Sequence, residues 1–185
     1  MIRYWDPRLG VFIQQVLPGE LFVTDEDIVI ATVLGSCVSA CVRDIRRGIG
    51  GINHFMLPGA VRGDPGDSAR YGVYALECLV NKVLGTRGRR SDLEVKVFGG
   101  GQVIEVGSDI GRSNIELVRR FFADEQIEIS SEDLGQQLAR RVRYWPRTGR
   151  AQIQRIPMAR AAKVVARERL ARLTLQPVPG SVELL

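Results

Sequence analysis

Apolar residues along this chain fall into short runs separated by polar or glycine-containing turns, a pattern typical of β-strands. Residues 28–34 are apolar at nearly every position, which predicts a strand buried on both faces. The runs at 37–42 and 49–57 flank a polar turn at 43–48, and this arrangement predicts a β-hairpin. We therefore place the other elements around this hairpin and the strand before it.

The remaining pattern predicts further strands and two helices. Strands are predicted at 21–23, 93–98, 127–130, 141–145 and 151–156. Helices are predicted over 69–84, after the cap Ser68, and over 114–124, where Ser113 and Glu116 form a capping box. Because strands outnumber helices and several are joined by tight turns, we expect an α+β fold. The expected architecture is a layered sandwich of a mixed, mostly antiparallel sheet with packed helices.

The two ends of the chain differ in character from its middle. We expect one domain over residues 1–156, of which residues 1–16 are loosely held. Residues 157–185 predict a basic amphipathic helix followed by a flexible tail. Between positions 140 and 172 there are eleven Arg or Lys residues and one acid, Glu168. The net charge of +5 is therefore concentrated towards the C-terminal end.

A basic segment of this kind is typical of a solvated surface, and it also suits an acidic protein, an acidic lipid or a nucleic acid. Specific nucleic-acid binding is not expected, because the segment has neither an aromatic stacking platform nor a helix-turn-helix. Docking of the helix on an acidic receptor or on a membrane surface is a further alternative.

The bulk composition narrows the compartment and the chemistry. No apolar run approaches the roughly 20 residues of a membrane helix, so no transmembrane segment is predicted. The first residues lack the apolar core of a signal peptide, and we expect a cytoplasmic protein with reduced thiols. With three cysteines, one histidine and no CxxC pair, we expect neither a metal site nor a cofactor. The run at 99–101, Gly-Gly-Gly, lacks the Lys-Ser/Thr of a phosphate loop and predicts a tight bend or a turn lining a cleft.

Candidate chemistry centres on Cys37 and on His54, the single histidine of the chain. The predicted hairpin brings these two side chains next to each other, since Cys37 lies near the start of one arm and His54 lies on the other. A cysteine nucleophile needs a base and donors for an oxyanion. Gly35 and Ser36 form a tight corner before the cysteine, where backbone amides could supply those donors and His54 could take the thiol proton.

A third group should orient the imidazole, as in other catalytic triads. Thr32 on the preceding strand is one candidate, and Asn53 and Ser36 are competitors. Asn53 is also a candidate for positioning the substrate. The structural alternative is that Cys37 is a small buried apolar residue and His54 a hydrogen-bonded core histidine. From the residues alone both interpretations remain open.

Several sequence blocks together resemble the CheD family of chemoreceptor glutamine deamidases. The blocks are VLGSCVSACVRD, GIGGINHFMLP, KVFGGGQV, DIGRSNIELVRRFF and RRVRYWPRTGRAQI, within about residues 17–157. The resemblance implies the fold of toxin-type glutamine deamidases, with Cys37 as nucleophile and His54 as base. The family's third residue is a threonine upstream of the cysteine. It corresponds to Thr32, although an ungapped alignment with some members places Ala31 there.

The resemblance also implies an activity and partners. The activity is that of a protein-glutamine glutaminase, which hydrolyses selected glutamine side chains on methyl-accepting chemotaxis receptors to glutamate and releases ammonia. A CheC-like phosphatase is a further partner that the resemblance implies. The alternative function is a non-catalytic docking protein that modulates such a phosphatase or receptor. The basic helix lies beyond the resemblance, which therefore implies no role for it.

Overall fold

The computed structural model describes residues 1–57, 65–103 and 110–174, which form ten strands and three α-helices. The strands are β1 (Ile2–Asp6), β2 (Val11–Gln15), β3 (Leu21–Thr24), β4 (Val29–Leu34), β5 (Val38–Asp44), β6 (Ile49–Asn53), β7 (Leu93–Gly99), β8 (Ile129–Leu134), β9 (Leu138–Tyr144) and β10 (Ala151–Pro157). The helices are α1 (Pro65–Leu84), α2 (Ile110–Asp124) and α3 (Ala162–Thr174), with short 3-10 turns at Arg90–Asp92 and Met158–Arg160.

The strands form two five-stranded sheets, which stack face to face. The outer sheet has the order β1-β2-β4-β9-β10, and the central sheet has the order β3-β6-β5-β7-β8. Only the β2–β4 and β7–β8 pairs are parallel among the pairings of the described residues. Helices α1 and α2 pack on the other face of the central sheet. The predicted α+β sandwich of mixed, mostly antiparallel strands with packed helices is thus confirmed.

Strand β5 explains why the sequence around it is apolar at successive positions. Val38, Ala40 and Val42 belong to the cluster packed under α1 and α2. Cys37, just before the strand, and Cys41 belong to the cluster between the two sheets. A strand covered on both faces must be apolar at odd and even positions alike. Apolar packing on both faces therefore holds β5 in place.

The predicted hairpin is also confirmed. Strands β5 and β6 are antiparallel with Cys41 opposite Ile52, and a further bridge joins Val38 to Phe55. Side chains alternate between the faces of a sheet, so positions 37 and 54 of this pair point to the same side. That side is the one that faces the outer sheet.

Several element boundaries differ from the sequence-based prediction. Residues 1–15 contain two strands that the pattern did not predict, and Ile13 of β2 is fully buried. Helix α2 begins at Ile110, so the predicted start at Asn114 with a capping box was wrong. Asn114 instead lies on the buried face of the helix. Helix α1 begins at Pro65, four residues before its predicted start.

Helix α3 corresponds to the basic segment after residue 157. Its half-buried Val164 and Val165 pack against a small cluster of Val103, Ala139 and Ala161. The predicted tail from residue 175 onwards lies outside the described residues. None of the helices in the described part of the chain combines the length and the apolar character needed to cross a membrane.

Candidate active site

A corner between β4 and β5 presents three backbone amides in one direction. The glycine turn after β7 holds this corner from behind: Gly100 N–H donates to the Cys37 carbonyl and Gly101 N–H to the Gly35 carbonyl, both at 2.7 Å. Gly99 has φ 114°, and a Cβ there would lie 2.2 Å from the Cys37 carbonyl oxygen. Only glycine permits this approach. The Gly35 and Cys37 carbonyls of the corner are therefore both hydrogen-bonded to the glycine turn.

Asn114 fastens the remaining carbonyl of the corner to α2. Its Nδ2 donates to the Ser36 carbonyl at 2.8 Å, and its Oδ1 accepts the Leu57 N–H at 2.9 Å. The residue is fully buried. This role was not predicted from the sequence, although one signal was present: a polar residue falls in line with Ile110 and Val118 on the buried face of the helix.

His54 follows β6 and is held by its backbone and by its ring. Its backbone N–H donates to the Glu20 carbonyl at 2.9 Å, and its carbonyl accepts the Gly19 N–H at 2.8 Å. Its ring Nδ1 lies 2.8 Å from the Thr32 hydroxyl oxygen. That hydroxyl also lies 2.8 Å from the Val16 carbonyl, to which it must donate its single proton.

The Thr32 hydroxyl therefore accepts a hydrogen bond from the His54 ring. Nδ1 carries the ring proton, and Nε2 keeps a lone pair. Within the described residues Nε2 is buried and makes no hydrogen bond. Burial, the largest cause, lowers the pKa of His54 to about 4, partly opposed by the nearby Glu168 carboxylate. A neutral imidazole with an unoccupied lone pair is suited to accept a proton.

The structure brings Cys37 and His54 together at the corner. The Cys37 sulfur, a ring nitrogen of His54 and a carboxylate oxygen of Glu168 all lie within 4.8 Å of one another, and all three residues are buried. None of the three cysteines of the chain forms a disulfide. Glu168 comes from α3 and had no part in the predicted site.

The carboxylate of Glu168 sits in what we call the amide cradle, the backbone N–H groups of Gly35, Ser36 and Cys37. Oε1 accepts from Gly35 N at 2.7 Å and from Cys37 N at 3.2 Å. Oε2 accepts from the Ser36 N–H and from the Ser36 hydroxyl, both at 2.8 Å. Four donors on two oxygens form an environment for an anion.

Cysteine, histidine and glutamate are also ligand types of metal centres. Both carboxylate oxygens of Glu168, however, are already used by the amide cradle and by the Ser36 hydroxyl. This donor set is the one expected around an oxyanion rather than around a cation. The arrangement therefore favours an oxyanion site.

The other predicted residues are placed as follows. Thr32 points towards the intersheet core together with Ile30 and Leu34, whereas Ala31 alternates to the other face of the outer sheet. Asn53 points away from His54: its Oδ1 accepts the Ala40 N–H and its Nδ2 donates to the Ala75 carbonyl of α1. Of the three candidates for orienting the imidazole, Thr32 is the one hydrogen-bonded to the ring in the described part of the chain.

Glu168 is the principal site residue that was not predicted from the sequence. It is the single acid among eleven basic residues between positions 140 and 172, and this isolation was the available signal. Its contacts with the corner span 131 to 133 residues of sequence, so no local pattern could reveal them.

Comparisons with known proteins agree with the family resemblance seen in the sequence, but the expectation that the basic helix lies beyond it was wrong, because the relatives below align over 98% or more of this chain. A family model described as CheD chemotactic sensory transduction matches residues 56–155. Three similar proteins are each named "Probable chemoreceptor glutamine deamidase CheD". That of Halorhodospira halophila is 48% identical over 98% of this chain and 88% of its own length. Those of Methylobacillus flagellatus and Xanthomonas campestris pv. campestris strain B100 are both 44% identical, covering 98% and 100% of this chain and 93% and 94% of theirs.

Among solved structures, the crystal structure of the Bacillus licheniformis hypothetical protein YfiH gives a TM-score of 0.41 at 15% identity. It covers 60% of this chain and 49% of that chain. This similarity is too weak to support an argument.

Proposed function

The chain belongs to the CheD family of chemoreceptor glutamine deamidases, and from this premise we propose that it hydrolyses specific glutamine side chains on methyl-accepting chemotaxis receptors through a cysteine–histidine mechanism. By family it is a protein-glutamine glutaminase, an amidohydrolase. The products are a glutamate side chain and ammonia. Cys37 is the proposed nucleophile, His54 the proposed base, and Thr32 the proposed positioning residue.

The first half of the proposed reaction forms a thioester. Nε2 of His54 takes the proton of the Cys37 thiol, and the thiolate attacks the glutamine Cδ. The carbonyl oxygen becomes an oxyanion in the amide cradle of Gly35, Ser36 and Cys37. His54 then gives its proton to the departing nitrogen, the C–N bond breaks, and ammonia leaves.

The second half regenerates the thiol. His54 removes a proton from a water molecule, whose oxygen attacks the thioester carbonyl. The amide cradle stabilises the second oxyanion, the C–S bond breaks, and Cys37 regains a proton from His54. Thr32 keeps the ring proton on Nδ1 throughout, so that Nε2 is the nitrogen that exchanges protons with substrate and nucleophile.

One observation carries this proposal: the amide cradle next to Cys37 and His54 already holds the carboxylate of a glutamate side chain. A glutamate carboxylate is the product of the proposed reaction. A site that merely packed a cysteine and a histidine in the core would not need three convergent amides. We place the reaction in the reducing cytoplasm, because the nucleophile must remain a thiol.

The proposed partners are the receptors and, as a regulator, a CheC-like phosphatase. A non-catalytic docking role towards such a phosphatase or receptor is the alternative. The two differ in whether receptor glutamine is converted at all.

The test is mass spectrometry of a receptor cytoplasmic fragment before and after incubation with the protein. Each conversion adds about 1 Da, because an NH2 group is replaced by OH. We expect conversion by the parent and by Cys78→Ala, a matched control that removes a half-buried thiol of α1. Cys37→Ala should abolish conversion while leaving the circular dichroism spectrum unchanged. Full activity in Cys37→Ala would refute the mechanism, and an inactive parent would favour the docking role.

A further inference from the structure

Helix α3 buries an acidic residue that a basic amphipathic helix would be expected to expose. Glu168 is 1% exposed, whereas Leu170, two positions later, is 65% exposed. Glu168 is also the only acid in the sequence of α3. An ionised carboxylate is buried at a large cost unless its partners are specific. Its burial therefore requires a specific reason.

That reason is the amide cradle. Both oxygens of Glu168 accept hydrogen bonds from the cradle, Oε2 also accepts one from the Ser36 hydroxyl, and the fit is close. A Cβ added to Gly35 would lie 2.7 Å from Glu168 Oε2 and 3.0 Å from its Cδ. The carboxylate thus occupies the position that the proposed function gives to the side chain of a deamidated glutamine.

We propose that α3 is a built-in, product-like occupant of the substrate site, which must withdraw Glu168 before a receptor glutamine can enter. The proposal rests on the proposed function for the identity of the displaced substrate. It concerns regulation of the same site by a segment of the same chain.

Occupation by Glu168 blocks the proposed chemistry in two ways. The amide cradle cannot bind a substrate oxyanion while its N–H groups are donating to a carboxylate. A carboxylate in the same 4.8 Å cluster as the Cys37 sulfur also opposes the formation of negative charge on that sulfur. The docked state is therefore a resting state.

The rest of α3 has fewer apolar contacts than α1 or α2, which suits such withdrawal. The half-buried Val164 and Val165 lie on the cluster of Val103, Ala139 and Ala161, and Ala171 packs against the intersheet cluster. Beside them, cationic side chains of α3 and of β9 line one groove on the outer sheet. They are Arg160, Lys163 and Arg167 from the α3 segment, with Arg141 and Arg143 from β9. Like charges across a groove oppose docking, so Glu168 supplies the specific attachment.

The experiment compares the full-length parent, Glu168→Ala and Arg169→Ala, the last a matched control at an exposed position of the same helix. Two rates are measured: carboxamidomethylation of Cys37 by iodoacetamide, mapped by peptide mass, and deamidation of the receptor fragment. We expect Glu168→Ala to raise the alkylation rate at least tenfold and the deamidation rate severalfold, with Arg169→Ala near the parent. Glu168→Lys, which places a cation against the amide donors, should give the same gains.

The outcomes separate this inference from the proposed function. If the parent deamidates the receptor and Glu168→Ala is no faster, α3 is not an inhibitory occupant, whatever the alkylation rates. If neither protein deamidates the receptor, alkylation decides: acceleration in Glu168→Ala retains the occupant, while the proposed function falls. Equal alkylation in that case overturns the inference as well.

Discussion

The two parts of the site are held in different ways. Cys37 and His54 are fixed by a hairpin at the centre of the molecule, with one core on each side of β5 and the backbone of His54 hydrogen-bonded to Gly19 and Glu20. Glu168 reaches the same point from α3, which is attached through the partly buried Val164, Val165 and Ala171. We call the first part, Cys37 and His54 on their hairpin, the frame. The second part, the Glu168 side chain of α3, is the occupant that binds to this frame.

This difference shows how a rigid site can still be switchable. The amide cradle is kept in place by bonds on its carbonyl side, from the glycine turn and from Asn114, and these do not involve α3. Withdrawal of Glu168 would therefore leave the donors where they are, ready for a substrate oxyanion. Preorganised donors of this kind cost no rearrangement at the moment of reaction.

The largest effect expected from this comparison is self-modification. In Glu168→Gln the occupant would carry a substrate amide instead of a product carboxylate. We expect Cys37 to convert the new side-chain amide at position 168 to a carboxylate within the same chain, with release of ammonia and a mass increase of about 1 Da. Intact-protein and peptide mass spectrometry after purification measure the conversion directly.

The control for self-modification is the double variant Glu168→Gln with Cys37→Ser, which should keep its amide. Conversion that depends on dilution would indicate reaction between chains instead of within one. A receptor-active variant whose amide stays intact would show that α3 does not present its side chain to the sulfur.

The frame could be predicted from the sequence because its signals are local. Runs of apolar residues on both sides of a polar turn predicted the hairpin, and the register found in the structure places positions 37 and 54 on one face. The same alternation distinguishes Thr32 from Ala31 once β4 is known to lie in the outer sheet. Each step uses residues that are close to one another in the sequence.

The occupant could not be predicted because its contacts are remote. Glu168 accepts hydrogen bonds from residues more than 130 positions away in the sequence. A single acid in a basic helix does not by itself indicate a functional site. Asn114 was missed for a related reason: its partners lie in another layer, and the Ser-x-x-Glu pattern beside it indicated a helix start that the fold does not use. Long-range polar contacts leave little trace in a single sequence.

Within the frame, Thr32→Val tests whether the Thr32 hydroxyl positions the His54 ring. Valine keeps the shape but leaves the His54 Nδ1–H and the Val16 carbonyl without their shared hydroxyl. An unsatisfied buried group costs about 1–3 kcal/mol, which corresponds to about a fivefold to 160-fold loss of kcat if it falls on the transition state. Steady-state kinetics on a receptor fragment should show that loss in kcat with little change in KM.

Thr32→Ser supplies the matched control, because it retains the hydroxyl and should recover most of kcat. If valine and serine behave alike, the hydroxyl has no positioning role and only the shape of residue 32 matters. The occupant should be unaffected in both variants, since Thr32 makes no bond to α3 among the described contacts.

The smallest expected effect is a pH dependence of the free energy of unfolding, and its cause is His54 in the frame. Burial lowers the pKa of His54 to about 4 in the folded protein, against an ordinary value of 6.5. Between these pH values the unfolded chain binds a proton that the folded chain does not, so the free energy of unfolding falls as the pH falls from about 6.5 to 4. The loss is about 1.4 kcal/mol per pH unit and about 3 kcal/mol in all. Urea unfolding of the parent and of Cys37→Ala, which keeps the imidazole, should show this slope, and His54→Gln should be flatter over that window. Equal slopes in all three would mean that burial does not lower the pKa of His54 in the folded protein.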